Sequence, residues 1–104
     1  MGRLIYGAST RADVDDRALA HLQLVILAKL RRREGFAFSW RNPASEGGGR
    51  RTVWIHPGIR LEFQYAEDTA PGIDGSWAEA LMRTANTAAG LHLVPEPEAV
   101  ATRP

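Results

Sequence analysis

The chain has 104 residues, 44% of them hydrophobic, which is the size and composition of a single folded domain. Its net charge is only +1, so the overall charge does not attract the whole molecule to a polyanion. It contains no cysteine, which excludes disulfides, thiolate metal sites and a cysteine nucleophile. The longest apolar run, residues 24–28, is too short to span a membrane, and residues 1–7 are too short for a signal peptide. We therefore expect a cytoplasmic protein with no membrane partner.

The first half of the chain predicts a short strand, a candidate second strand and a long helix. Residues 4–6 form the strand, and residues 12–14 are its candidate hairpin partner. A helix capped by Asp15 or Asp16 should then run to about Glu34 and end at Gly35. His21 falls on the side of this helix opposite the apolar stripe, so we expect it to be exposed. The stripe itself should face the core and consists of Leu19, Leu22, Ile26 and Leu30.

The second half predicts three strands and a second helix. The strands cover residues 36–41, 51–56 and 60–65, and their short connections favour an antiparallel meander. Ser76 and Glu79 have the spacing of a capping box, which predicts a helix from Ser76 that ends near Gly90. Residues 91–94 are a candidate edge strand.

These elements predict an α+β fold. We expect an antiparallel sheet of four to six strands with two amphipathic helices packed on one face, in the order β-(β)-α-β-β-β-α-β. Residues 1–97 should form a single domain, and residues 98–104 a disordered tail.

No group of residues has the spacing of a catalytic, cofactor-binding or metal site. His21, His56 and His92 lie on different elements without a nearby ligand at metal-binding spacing. The glycine run at residues 47–49 lacks the lysine and the following helix of a phosphate-binding loop, so a hairpin loop is the better interpretation. We therefore expect no enzyme activity, no cofactor and no metal.

One cluster of basic residues suggests a nucleic-acid surface. Basic residues end the first helix, aromatic residues follow at positions 36, 38 and 40, and Arg41 comes next. Alternating basic and aromatic side chains are typical of surfaces that bind single-stranded nucleic acid, because the bases stack on the aromatic rings and the phosphates pair with the arginines. The alternative is that arginines favour any helix C-terminus and that the aromatics belong to the core. The candidate nucleic-acid-binding residues are Lys29, Arg31, Arg32, Arg33, Arg50 and Arg51.

A small apolar patch on the far side of the first helix suggests self-association. Ala20, Leu24 and Ala28 lie away from the core stripe, and an exposed patch of this kind is typical of a surface that pairs with a second copy. The alternative is that the sheet curls around the helix and covers the patch.

Several segments together resemble a family of small actinobacterial proteins of unknown function. The resemblance rests on residues 1–7 (MGRLIYG), 15–23 (DDRALAHLQ), 29–32 (KLRR), 38–40 (FSW), 54–57 (WIHP), 77–82 (WAEALM) and 90–97 (GLHLVPEP). Residues 9–14 depart from the family pattern, where relatives carry a longer strand. Arginine supplies all but one of the 13 basic residues, which is typical of the GC-rich genomes of such bacteria.

Members of this family are often labelled "ATP-dependent DNA ligase". The residues that a ligase reaction requires can be sought in this sequence. Such ligases form a covalent lysyl-AMP at a K-x-D-G motif, whereas the only lysine here, Lys29, lies in KLRR within a helix. The resemblance supplies no catalytic residues. We expect a non-catalytic interaction module that forms a homodimer. The alternative is a nucleic-acid-binding accessory protein in DNA transactions, with DNA or RNA as its partner.

Overall fold

The computed structural model describes residues 1–97, which form five strands, two α-helices and a short 3-10 helix. The expected tail at residues 98–104 lies outside the described residues. In chain order the elements are β1 (Gly2–Tyr6), β2 (Thr10–Val14), α1 (Asp16–Arg31), β3 (Phe36–Arg41), the 3-10 helix (Ala44–Glu46), β4 (Arg50–Ile55), β5 (Leu61–Gln64) and α2 (Gly75–Ala85). The α+β class is confirmed, and so is the predicted element order as far as the second helix. Among residues 1–97 no helix combines the length and the apolar character needed to cross a bilayer.

The strands form two antiparallel sheets instead of one. One sheet has the order β2-β1-β5, and the other consists of β3 and β4. The predicted pairing of β3 with β4 is confirmed, but the expected third meander strand, β5, pairs with β1. This pairing sets Phe63 opposite Leu4 and Leu61 opposite Tyr6, so apolar cross-strand pairs fix the register. The candidate second strand is confirmed as β2, which pairs with β1 on the edge opposite β5.

The two helices join these sheets around one core. Helix α1 packs on β1 and on α2, while α2 packs on β3. The predicted stripe is confirmed, since Leu19, Leu22 and Ile26 are fully buried and Leu30 is partly buried. Burial of these side chains removes apolar surface from water, which is the main favourable term in folding.

The helix ends differ from the sequence prediction by a few residues. Helix α1 ends at Arg31, and the left-handed backbone that follows it falls on Arg33 (φ 58°) instead of Gly35. Helix α2 begins at Gly75 because Asp74 is its N-cap, and the Asp74 carboxylate accepts a hydrogen bond from the backbone N–H of Ser76 at 2.9 Å.

The expected strand at residues 91–94 is reduced to a single parallel bridge between Leu91 and Phe38. Leu91 makes two backbone hydrogen bonds there, to Ala37 and Ser39 at 2.8 and 2.9 Å. Beyond it, the carbonyl oxygen of Val94 accepts a hydrogen bond from Nε1 of Trp77 at 2.9 Å, so the chain follows α2 instead of continuing along the sheet.

The prediction that His21 is exposed is wrong, because α2 and the segment before it cover this side of α1. His21 has no exposed surface, and its ring lies 4.4 Å from that of Trp77. The backbone N–H of Asp74 donates to Nε2 at 2.8 Å, so the ring proton lies on Nδ1, which donates to the carbonyl oxygen of Arg17 at 2.7 Å. A neutral imidazole therefore joins the start of α2 to α1.

Replacing this imidazole should destabilise the fold. We expect His21→Leu to lower the free energy of unfolding by about 1–3 kcal/mol, because it leaves the backbone N–H of Asp74 without its acceptor. Urea denaturation followed by circular dichroism measures this. The control is His56→Leu at an exposed histidine, expected to change stability by less than about 0.5 kcal/mol. Equal effects of the two substitutions would contradict the role given to His21.

Candidate functional site

Charge is strongly segregated along the chain. Residues 29–56 contain seven of the 13 basic residues and two of the 12 acidic residues, so this segment carries a net charge of +5, and the remaining residues carry −4. The segment comprises the last turn of α1 and the whole β3–β4 hairpin. The near-neutral total therefore conceals one strongly basic region.

Lys29 does not contribute to an exposed basic surface, although the sequence analysis included it. Its side chain is buried between the helices, and Nζ donates to Oδ1 of Asn86 at 2.7 Å and lies 2.9 Å from Oε1 of Glu34. The hydrogen bond from Lys29 holds the pKa of the Glu34 carboxyl below its usual value. The sequence carried a signal for this burial, since Lys29 is three residues after Ile26 and therefore lies on the core side of the helix.

The three arginines that follow are exposed but do not all face one way. Arg31 lines a groove on the outer side of α1. Arg32 and Arg33 lie in the turn that leads to β3, and Nε of Arg32 is 3.6 Å from Oε2 of Glu34. Because that carboxylate is already bound by Lys29, this turn keeps a net positive charge.

The strand register separates the hairpin residues into two sides. Directly paired residues share a side of a sheet, and the sides alternate along each strand. One side holds Phe36, Phe38 and Trp40 with their partners and faces the core. The opposite side, called here the hairpin face, consists of Ala37, Ser39, Arg41, Arg50, Thr52 and Trp54.

Arg50 and Arg51, both predicted to bind nucleic acid, therefore lie on opposite sides. Arg51 pairs with Trp40, and its guanidinium carbon is 5.4 Å from the centre of the Trp40 ring. Trp40 in turn stacks on Phe38 with the ring centres 5.4 Å apart. Arg50 lies on the hairpin face opposite Arg41. Among residues 1–97 neither Arg41 nor Arg50 has a carboxylate within ion-pair distance.

The exposed Trp54 is the member of this face that the sequence analysis missed. It is 59% exposed, although its indole rests on Gly35, where any β-carbon would lie 2.7 Å from Cζ2 of the ring. Residues 53 and 55 point inward, so the strand period of two could have identified Trp54 as an outward-facing residue. Gly35 thus provides the space in which the indole lies, two residues after Arg33.

Two residues of the expected self-association patch, Ala20 and Leu24, line a groove, and Ala28 does not. A cavity of about 490 Å³ lies between the outer side of α1 and residues 66–73. Leu24 is 48% exposed in this groove, Ala20 and Ala28 are half-buried, and Ile73 on the facing loop is 51% exposed. A loop, and not a curled sheet, therefore lies beside the patch, and the patch stays accessible.

Polar side chains of the first turns of α1 hold both ends of this loop. The Asp16 carboxylate accepts hydrogen bonds from the backbone N–H groups of Ala66 and Glu67 at 3.1 and 2.9 Å, which lowers the pKa of Asp16. At the other end, Nη1 of Arg17 donates to the carbonyl oxygen of Gly72 at 2.9 Å. The groove is therefore closed by the helix on one side and by a loop attached at both ends on the other.

Arg17 also binds the last part of the described chain. Its Nε and Nη2 donate to the two carboxylate oxygens of Glu96 at 2.9 and 2.6 Å, which is a bidentate ion pair. The hydrogen bond from Arg17 lowers the pKa of Glu96 to about 2.

The three histidines are not brought together. His21 is buried, Nδ1 of His56 accepts a hydrogen bond from the backbone N–H of Gly58 at 3.1 Å, and Nδ1 of His92 lies 3.1 Å from the carbonyl oxygen of Gly90. Within residues 1–97 no three histidine or carboxylate side chains are grouped as metal ligands would be.

These features define a small α+β domain with a basic hairpin face on β3 and β4 and a groove beside α1. The chain belongs to the family described as a domain of unknown function (DUF7882), whose model matches residues 1–96. No curated protein and no solved structure shows significant similarity to the chain.

The Arg17–Glu96 ion pair should make stability depend on pH in acid. Glu96 titrates near 4.5 when unfolded and near 2 when folded, so the pair stabilises the fold above about pH 4.5 and this contribution is lost as the pH falls towards 2. We expect Glu96→Gln to be less stable than the natural chain at pH 6 to 7 and equally stable near pH 2, by urea denaturation across pH.

The matched control is Glu79→Gln, which removes an exposed carboxylate of α2 that has no ion-pair partner among residues 1–97. Its stability difference from the natural chain should stay near zero across the same range. A constant difference between Glu96→Gln and the natural chain at every pH would show that the ion pair does not carry this dependence.

Proposed function

We propose that this domain is a non-catalytic binding module whose ligand is nucleic acid. The proposed surface is the hairpin face together with Arg32 and Arg33. The observation that carries the proposal is the concentration of exposed arginines in the segment that also carries the exposed Trp54, in a chain whose remaining residues are net acidic.

The identity of the cations supports a phosphate ligand. The guanidinium group is planar, always charged, and matches phosphate oxygens with two parallel hydrogen bonds. Arg41 and Arg50 face each other directly across the strands, and like charges in that position destabilise a sheet. An anionic polymer that bridges both guanidinium groups would remove this repulsion, whereas the acidic remainder of the protein would keep the polymer from other surfaces.

The burial of Lys29 supports a non-catalytic role over a lysyl-AMP ligase. The amine of the only lysine is bonded to Asn86 and Glu34 inside the fold, so it has no access to a nucleotide. A nucleophilic lysine instead requires an accessible amine with a lowered pKa.

The cellular setting is part of the same proposal. Nucleic acid would be met in the cytoplasm, and the preference for arginine over lysine supports an actinobacterial origin. The chain would act there as an accessory to DNA or RNA transactions and not as the enzyme that performs them.

Charge reversal in the turn after α1 tests the proposal. We expect Arg32→Glu combined with Arg33→Glu to abolish binding of a labelled oligonucleotide at low salt, measured by fluorescence anisotropy. For the natural chain the logarithm of the binding constant should fall with the logarithm of salt concentration, by roughly 0.7–0.9 per phosphate contact.

The control for this experiment is Arg11→Glu combined with Arg83→Glu, which changes the net charge equally at two exposed arginines outside the basic segment. This variant should keep most of the affinity. Absence of binding by the natural chain at low salt, or an equal loss in both variants, would refute the proposed surface.

A second candidate function is self-association through the α1 groove. The observation that favours it is that two exposed apolar side chains, Leu24 and Ile73, line the same groove. A two-fold pairing of α1 centred on Leu24 would bring Arg31 of one copy towards the first turn of the other copy's α1, where Asp16 holds the backbone of Glu67. The two copies would thus cover each other's exposed apolar surface.

Sedimentation velocity tests the self-association. We expect the natural chain to be a dimer and Leu24→Glu to be a monomer, because a carboxylate would then be buried in an apolar interface. The control Leu93→Glu changes an exposed leucine outside the groove and should remain dimeric. A natural chain that sediments as a monomer would refute the dimer.

A further inference from the structure

Trp54 is held in a position that favours contact with a ligand. A tryptophan side chain normally buries a large apolar area, yet this one is 59% exposed. It is nevertheless placed, because the indole rests on the backbone of Gly35 and its own carbonyl oxygen accepts a hydrogen bond from Oη of Tyr6 on β1. One part of the ring is therefore supported by the protein, and the rest is open to solvent.

Ala37 lies directly opposite Trp54 on the hairpin face, and the other members of the face are polar or basic, with none acidic. Thr52 lies next to it along β4, and Arg50 comes next after Thr52, about 13 Å from Trp54 at the strand rise of ~3.3 Å per residue. Thr52 Oγ1 is held 2.8 Å from Oγ of Ser39. An open aromatic ring thus stands at one end of the face and a pair of guanidinium groups at the other.

The other tryptophan of the hairpin, Trp40, is covered by neighbouring side chains, whereas Trp54 is not, and this difference identifies the side of the hairpin that can bind a ligand. Trp40 lies on the core side, stacked on Phe38, and the guanidinium of Arg51 covers it. Its ring therefore already has partners, whereas the ring of Trp54 has an open surface. A nucleic-acid base can therefore stack on the indole ring of Trp54.

We propose that the hairpin face binds single-stranded nucleic acid, with a base stacked on Trp54 and the phosphates of the same strand bound by Arg41 and Arg50. This inference rests on the proposed function and names the form of its ligand. Every base presents a π-face, so an aromatic ring supplies affinity without requiring one sequence. A duplex keeps its bases stacked on each other, so Trp54 should distinguish an open strand from a double helix.

The test compares three anionic probes and four forms of the protein. Binding of an oligothymidine strand, of a DNA duplex of equal length and of heparin is measured by anisotropy or competition at fixed salt. The proteins are the natural chain, Trp54→Ala, Trp54→Phe and the control Ile73→Ala, which truncates a similarly exposed apolar side chain in the groove. Circular dichroism verifies that each variant is folded.

We expect the natural chain to prefer the single strand, and Trp54→Ala to weaken that binding about tenfold or more with little effect on heparin. Trp54→Phe should retain most of the affinity, and Ile73→Ala should retain all of it. Tryptophan fluorescence of the natural chain should be quenched by oligothymidine, and the quenching should disappear in Trp54→Phe although binding persists. This comparison decides the matter even if Trp54→Ala fails to fold.

The failures are distinguishable. Equal affinity for strand, duplex and heparin, with no effect of Trp54→Ala and no quenching, would overturn base stacking and leave a general polyanion surface. Loss of single-strand binding in Ile73→Ala but not in Trp54→Ala would place the strand in the groove and overturn the inference. No binding of any probe would overturn both the inference and the proposed function.

Discussion

The burial of Lys29, the single lysine of the chain, is the constraint on which the arrangement of the two helices and the hairpin depends. A buried ammonium group is costly unless it is paired, and Lys29 is satisfied by Asn86 at the end of α2 and by Glu34 in the turn before β3. These contacts join the ends of both helices at the point from which the hairpin departs. They also engage the only carboxylate in that turn, so Arg32 and Arg33 remain largely unneutralised beside the strand that carries Trp54.

The opposite end of α1 has the reverse character. There the charged groups are all engaged in holding the chain: Asp15 caps the helix, Asp16 binds the loop backbone, and Arg17 binds Glu96 and Gly72. The C-terminal end of the helix engages Lys29 and Glu34 in the fold, but Arg31 and Arg33 have no ion-pair partner among residues 1–97. The near-zero net charge of the chain is compatible with a strongly basic surface because the charges are separated in space.

Local patterns were sufficient to predict most elements, and partners distant in sequence decided the rest. The apolar stripe of α1 and the pairing of β3 with β4 follow from periodicity and short connections. The pairing of β5 with β1 depends on matching Phe63 to Leu4 across nearly sixty residues, which no local signal contains.

His21 was mispredicted because α2 covers a second side of α1. In the candidate site, the arginines were visible in the sequence, but their division between two sides of a hairpin required the register, and the role of Trp54 required its contact with Gly35.

In the proposed function, the exposed indole of Trp54 and the arginines Arg41 and Arg50 make the hairpin face a ligand surface. Two-dimensional NMR of the natural chain, titrated with oligothymidine, is the decisive experiment. We expect the indole N–H of Trp54 and the backbone amides of β3, β4 and residues 32–35 to shift together, while the indole N–H of Trp77 and the amides around Leu24 stay unchanged. Shifts centred on the α1 groove, or no shifts at low salt, would contradict it.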